Sequence, residues 1–188
     1  MKYIKSFELL KEFRNIEPFK INFRDGLNVI VGENGCGKST LFMLIMDPKC
    51  VKDTVKIDFI KGSNYKFLDT EKHNPRIRNL QELDEKFFSY GLMSHFTSHG
   101  ETMFPFVNAV KDFKDIAVLI DELEAGLSLK NQIKISNTLK QVIKRNCQVI
   151  ISTHSYIIMK EADVVFDMES KKWILSKDYL STLLEDKK

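Results

Sequence analysis

Gly32-Glu33-Asn34-Gly35-Cys36-Gly37-Lys38-Ser39-Thr40 stands between two apolar runs, Leu27-Asn28-Val29-Ile30-Val31 and Leu41-Phe42-Met43-Leu44-Ile45-Met46. Strand, glycine-rich turn and helix in that order, spaced G-x-x-x-x-G-K-[ST] from Gly32 to Ser39, are what a phosphate-binding P-loop requires. Gly32, Gly35 and Gly37 permit the unusual dihedrals that aim backbone N–H groups at one anion. The following helix brings partial positive charge at its first turn, and Lys38 brings a full one. Ser39 can set its hydroxyl on the magnesium ion that accompanies a nucleoside triphosphate. Asn34, Cys36 and Thr40 fill the remaining positions of the cradle. The stretch predicts nucleotide binding.

Upstream, residues 2–9 read as a strand, and Phe19, Ile21 and Phe23 share one face of a second strand over 18–24. Asp25-Gly26 reads as a hairpin turn into the strand that feeds the P-loop. Three strands before the first helix suggest an antiparallel edge beside a parallel sheet. Downstream, Asp47-Pro48 stops the helix. Residues 55–60 and 64–68 read as a second hairpin across Lys61-Gly62-Ser63-Asn64, followed by a polar loop over Asp69–Arg76. Leu80, Leu83, Phe87, Phe88 and Leu92 recur at helical spacing over about 80–96, and a second helix is expected from about Glu101. Ile116–Ile120 is a continuous apolar run suited to a strand buried on both faces, and Gln148–Ser152, with Val149-Ile150-Ile151 at its centre, reads as another buried strand. An amphipathic helix is expected at about 128–145, a strand pair at 164–166 and 173–175, and a terminal helix at 177–185. Alternating strands and helices around a P-loop predict an α/β fold with a mainly parallel sheet.

The 188 residues suit one domain over 1–188, with a small helical lobe at about 77–112. A net charge of +3 is compatible with nucleic acid without arguing for it. Cys36, Cys50 and Cys147 are an odd number without metal-type spacing, so free thiols in a reducing compartment are expected. Lys2, Lys5, Glu8 and Lys11 interrupt the N-terminal apolar residues, unlike a secretory leader. No run approaches the roughly 18 apolar residues of a membrane span. A cytoplasmic protein with no membrane partner is the expectation.

The buried strand at 116–120 ends in Asp121-Glu122, where a P-loop protein places a magnesium ligand. Asp121 suits that role, and Glu122 is placed to orient or deprotonate the attacking water. His154 follows the next buried strand and could hydrogen-bond a γ-phosphate. Ser98-His99-Gly100-Glu101, between two helical segments, combines serine, glycine and a helix N-terminus, which together suit an anion.

Taken together these motifs resemble the ABC-type ATPases, in their SMC/RecF-like branch rather than the transporter branch, over nearly the whole chain. Gly32–Thr40 is similar to the family's Walker A, Ala117–Glu122 to its Walker B with catalytic glutamate, and His154 to its switch histidine. Ser98–Glu101 is similar to the signature S-G-G-E, with His99 in place of the first glycine. Glu124-Ala125-Gly126-Leu127-Ser128 resembles the D-loop. Phe13-Arg14-Asn15 is similar to the segment from which this branch sets an arginine near the phosphates, which implies Arg14 as a contact. Three positions depart from the pattern. No glutamine stands in Asp69–Arg76, where a Q-loop is expected, and Asp69 or Glu71 is the candidate substitute; Leu123 replaces a common proline; and the interval from Thr40 to Ser98 is too short for a long coiled coil.

The resemblance implies ATP and Mg2+ as ligands and a head-to-tail homodimer around ATP, with Ser98 and Gly100 acting in trans on the γ-phosphate held by Lys38. It implies hydrolysis at Glu122 in the service of DNA processing, repair or anti-phage defence, with a partner effector and with DNA as a compatible ligand. Lys130, Lys134, Lys140, Lys144 and Arg145 on one helix fit DNA, although such lysines more often form a solvated helix face. Two other readings remain open at this point: the ATP-binding subunit of a transporter, and an ATP-gated interaction module with little hydrolysis.

Overall fold

The computed structural model describes residues 3–51, 53–60, 64–69, 110, 112–122, 124 and 127–185. Among the described residues, nine strands form two sheets. The small sheet is antiparallel, in the order β2-β1-β4, from β1 (Ile4–Leu9), β2 (Phe19–Asn22) and β4 (Val55–Phe59). The large sheet runs β5-β6-β7-β3-β8-β9, from β3 (Leu27–Val31), β5 (Tyr65–Asp69), β6 (Ala117–Asp121), β7 (Gln148–Ser152), β8 (Val164–Asp167) and β9 (Lys172–Leu175). Its first five strands are parallel and only β9 pairs antiparallel. The helices are α1 (Lys38–Met46), α2 (Leu129–Lys144), α3 (Tyr156–Lys160) and α4 (Ser176–Glu185).

The continuous apolar strands are buried on both faces as expected, and their alternation sorts side chains between two cores. Val29, Val31, Val118, Ile120, Val149, Ile151 and Val165 pack with Ile135, Leu139 and Val142, the buried stripe of α2. Ile30, Ala117, Leu119, Ile150 and Phe166 turn the other way, onto Leu41, Phe42, Leu44 and Ile45 of α1 and onto Phe7 and Ile21 of the small sheet. Helix α1 is apolar on nearly all sides because it is packed among both sheets. Phe7, Phe19, Phe166 and Trp173 form an aromatic chain between the sheets, with successive centroids 5.7, 6.1 and 5.4 Å apart.

Two expected hairpins are not formed. Residues 55–59 and 65–69 are both strands, but β4 pairs with the free edge of β1 and β5 joins β6 in the other sheet. Each strand finds its partner far along the sequence, and a stacked Phe59–Tyr65 pair, 5.9 Å between centroids, spans the change of sheet. Asp25-Gly26 likewise turns the chain from the small sheet into β3, which pairs with β7 and β8 rather than with β2. Gly26 has φ +71°, and buried Asn28 shapes the turn by accepting from Arg24 N–H (2.6 Å) and donating to Arg24 O (2.9 Å). The expected antiparallel component therefore occurs as a separate sheet plus the edge strand β9. The expected helices at 80–96 and from 101 lie outside the described residues, apart from helical Val110, which is buried against the α2 side of the sheet.

Gln148, the first residue of β7, joins the two sheets. It is fully buried; its Oε1 accepts from the N–H groups of Tyr3 (2.9 Å) and Ile4 (2.8 Å), and its Nε2 donates to the carbonyls of Ile4 and Arg24 (3.0 Å each). Gln148→Leu leaves these buried backbone groups without their partner, so a loss of about 3 kcal/mol in unfolding free energy is expected, read from urea denaturation.

Candidate functional site

Strand β3 delivers the chain to Gly32 (φ +135°), and Gly35 (φ +86°) and Gly37 (φ +101°) complete the loop. Two of these glycines are also required for space. A Cβ on Gly32 would lie 2.7 Å from Cys36 Sγ, and one on Gly37 would lie 2.3 Å from Ile16 Cδ1. Ile16 closes a two-residue turn in which Arg14 (φ +49°) and Asn15 (φ +62°) are both left-handed and Phe13 and Ile16 exchange backbone hydrogen bonds of 3.1 and 3.0 Å. The small sheet thus presses a side chain onto the P-loop. Met168, after β8, backs the loop from a second direction through its N–H to Val31 O (2.9 Å).

Helix α1 begins at Lys38, capped by Gly37, which has no side chain to satisfy the first N–H groups. Lys38 is buried, and its Nζ donates to Gly32 O (2.9 Å) and Glu33 O (3.1 Å), holding the ammonium across the loop. Ser39 is exposed and Thr40 half-buried in the first helical turn. Left-handed glycines, an open helix N-terminus and a lysine anchored on loop carbonyls fit a polyphosphate with its magnesium ion.

The acidic pair stands opposite. Asp121 ends β6 in register with Ser152 of β7, whose hydroxyl donates to Asp121 Oδ1. Glu122 has a left-handed backbone (φ +46°), a conformation costing about 1–2 kcal/mol for a residue with a Cβ. Its N–H donates to Ser152 O (3.2 Å) and Oγ (3.1 Å), which holds the turn. Its carboxylate then lies between two cationic or potentially cationic groups, 3.8 Å from Lys38 Nζ and 3.6 Å from His154 Nε2. Asn34, Gly35, Gly37, Lys38, Ser39, Thr40 and Glu122 line one cleft of about 140 Å³. A larger cavity of about 330 Å³ lies at the far end of β3, against Arg24–Leu27 and α2, away from these groups.

The described fold therefore brings together the P-loop, Asp121, Glu122 and His154. Arg14 is exposed on its turn with its guanidinium 5.5 Å from the Phe13 ring centroid, and Ile16, two residues on, makes the contact with Gly37. Ser98 and Gly100 lie outside the described residues, as do Glu71 and most of the Q-loop position. Asp69 ends β5 in register with Asp121. Sequence reading passed over Ser152, Ile16 and Met168. Ser152 ends an apolar run one strand away from Asp121, and the other two reach the P-loop only through the fold. Glu124 was read only within the D-loop resemblance; here it is buried and accepts the His154 N–H.

Residues 9–46 match the sequence family described as an AAA domain. Sixty-one residues, 29% of the chain, are 39% identical to the DNA double-strand break repair Rad50 ATPase of Thermococcus kodakarensis, and span 7% of that protein. Among solved structures, cbiO1 of Clostridium perfringens, part of the ABC transporter complex cbiONQ, superposes with a TM-score of 0.65 and 18% identity, covering 96% of this chain and 92% of that one. The SMC head domain of Thermotoga maritima gives a TM-score of 0.59 and 17% identity over 88% of this chain and 94% of that one. The described residues thus share their fold with ABC transporter ATPase subunits and SMC heads, and residues 9–46 carry an AAA-type sequence. ABC-type ATPases in general use ATP with magnesium, and the cleft beside Glu122 is where this chain's donor set fits them. No helix among the described residues is long and apolar enough to cross a membrane.

Cys36 is a half-buried thiol inside the P-loop. Burial pushes its pKa up, with the Lys38 ammonium partly opposing the shift. A raised pKa leaves less thiolate at a given pH. Iodoacetamide labelling of Cys36 at pH 8, followed by mass spectrometry, should therefore be slower in the folded protein than in the urea-unfolded chain. Lys38→Ala should slow it further.

Proposed function

We propose that this domain hydrolyses ATP with Mg2+ as half of a composite site completed by a second copy of the chain. The observation that carries the reading is the Glu122 carboxylate, set beside both Lys38 and His154 at the mouth of the P-loop cleft. Phosphoryl transfer to water needs little from the protein beyond positioning and charge stabilisation. Lys38 and the α1 N-terminus bind the phosphates, with Gly32, Asn34, Gly35, Cys36, Gly37 and Thr40 shaping the cradle. Ser39 and Asp121 hold the metal, which when bound neutralises charge developing between the outer phosphates. Glu122 orients the attacking water and takes up its proton, and His154 hydrogen-bonds the γ-phosphate. Asp69, next to Asp121 in the sheet, is the nearest acidic position to the missing Q-loop glutamine. Arg14 is assigned to the phosphates by resemblance alone.

Water at the mouth of this cleft would weaken every charge interaction in it. A second copy, bringing Ser98 and Gly100 over the γ-phosphate, closes it. ATP is then the ligand that dimerises two heads, and hydrolysis is the release step. The likeness to a Rad50 ATPase over 61 residues and to SMC heads in fold supports a role in DNA processing, repair or anti-phage defence alongside a partner effector.

Lys38→Ala is expected to abolish ATP binding and turnover. Glu122→Gln should lower turnover at least about a hundredfold while leaving ATP bound, so that the protein runs as a dimer on size exclusion with ATP and magnesium. A Glu122→Gln chain that remains monomeric there would overturn the composite site. Stimulation of wild-type turnover by duplex DNA is the expected outcome for the DNA role.

A further inference from the structure

We propose that Glu124 is a positioning residue that sets His154 against Glu122. The proposal rests on the ATPase reading above. Two residues past Glu122, Glu124 is more than nine-tenths buried and accepts the backbone N–H of His154 on Oε1 at 2.5 Å. Its other oxygen, Oε2, is buried and has no hydrogen-bond partner among the described residues. Burying a polar side chain is costly unless it is hydrogen-bonded, and the bond that Glu124 makes is to the backbone of His154.

The contact belongs to a closed ring. Ser155, next to His154, donates its hydroxyl to Gln132 Oε1 (2.7 Å), and Gln132 Nε2 donates to Leu127 O (3.1 Å). Leu127 N–H returns to Glu124 O (2.9 Å). The ring joins the segment after Glu122 and the first turns of α2 to the loop after β7. On one side it is anchored by Thr153 N–H to Ile30 O (3.2 Å), next to the P-loop. His154 itself has a side chain 42% exposed, so packing does little to hold it, and its 3.6 Å separation from Glu122 depends on its backbone. Glu124 binds that backbone directly. A shift of about 1 Å in such a group can lower a rate about a hundredfold.

Steady-state ATP turnover of the full chain tests this with Glu124→Ala, Glu124→Gln, His154→Ala and the double variant. Glu124→Ala should lower kcat about 10- to 100-fold with the KM for ATP within about twofold of wild type, because the P-loop contacts are untouched. Glu124→Gln should recover most of the rate, since its amide oxygen still accepts the His154 N–H. In a His154→Ala background Glu124→Ala should cost nothing further, which a general structural role would not produce. Gln132→Ala breaks the ring without emptying the Glu124 site; it should lower kcat in the same direction and likewise lose its effect once His154 is alanine, which keeps the test valid if Glu124→Ala fails to fold. Unchanged kcat in Glu124→Ala, or equal losses with and without His154, overturns the proposal. Absent turnover in the wild type overturns the ATPase reading itself and this inference with it, whereas a fully active His154→Ala overturns this inference and leaves the ATPase reading standing.

Discussion

Because strands β5, β6, β7, β3 and β8 run parallel, their carboxyl ends fall along one edge of the large sheet, and that edge sets every position of the site. Register does the rest. Asp121 stands opposite Ser152, Ser152 opposite Ile30, and Asp167 opposite Val31, so the acidic pair, the His154 loop and the P-loop leave the sheet side by side. A slip of one residue in β6 would exchange the two cores and turn Asp121 to the opposite face. Both faces of β6 are apolar, so the slip would exchange Val118 and Ile120 with the differently shaped Ala117 and Leu119 in two packed cores, and it would take Asp121 from its place opposite Ser152.

The small sheet contributes through contact rather than chemistry. Gln148 ties β1 to β7, the aromatic chain from Phe7 to Trp173 fills the space between the sheets, and the turn after β1 sets Ile16 against Gly37. The left-handed backbone at Gly37 and Glu122 is therefore held from outside the site, by packing in one case and by Ser152 in the other. Conformations that cost energy locally persist because the surrounding sheet leaves the chain no alternative.

The P-loop was legible from its residues because everything it needs is local: glycines, a lysine, and a strand and helix on either side. The buried strands Ala117–Asp121 and Gln148–Ser152 were legible for the same reason, their apolar runs being continuous. Strand partners were less so. Asp25-Gly26 and Lys61–Asn64 both carry turn chemistry, yet each passes the chain to a different sheet, because a turn specifies reversal only when both flanking strands lack better partners. Glu124 carried no signal beyond its place in a familiar motif, since what defines it is a backbone N–H thirty residues away.

The sequence by itself determined the α/β class, the phosphate cradle and the identity of its charged groups, all of which follow from composition and spacing over short stretches. Only the tertiary structure decided the rest: that Glu122 sits between Lys38 and His154, that Ile16 and Met168 back the loop, and that a ring through Glu124 and Gln132 joins the D-loop segment to His154. Those facts depend on which strands pair and in what register. Pairing is settled by the burial of whole faces across the molecule, which no single stretch of the chain contains.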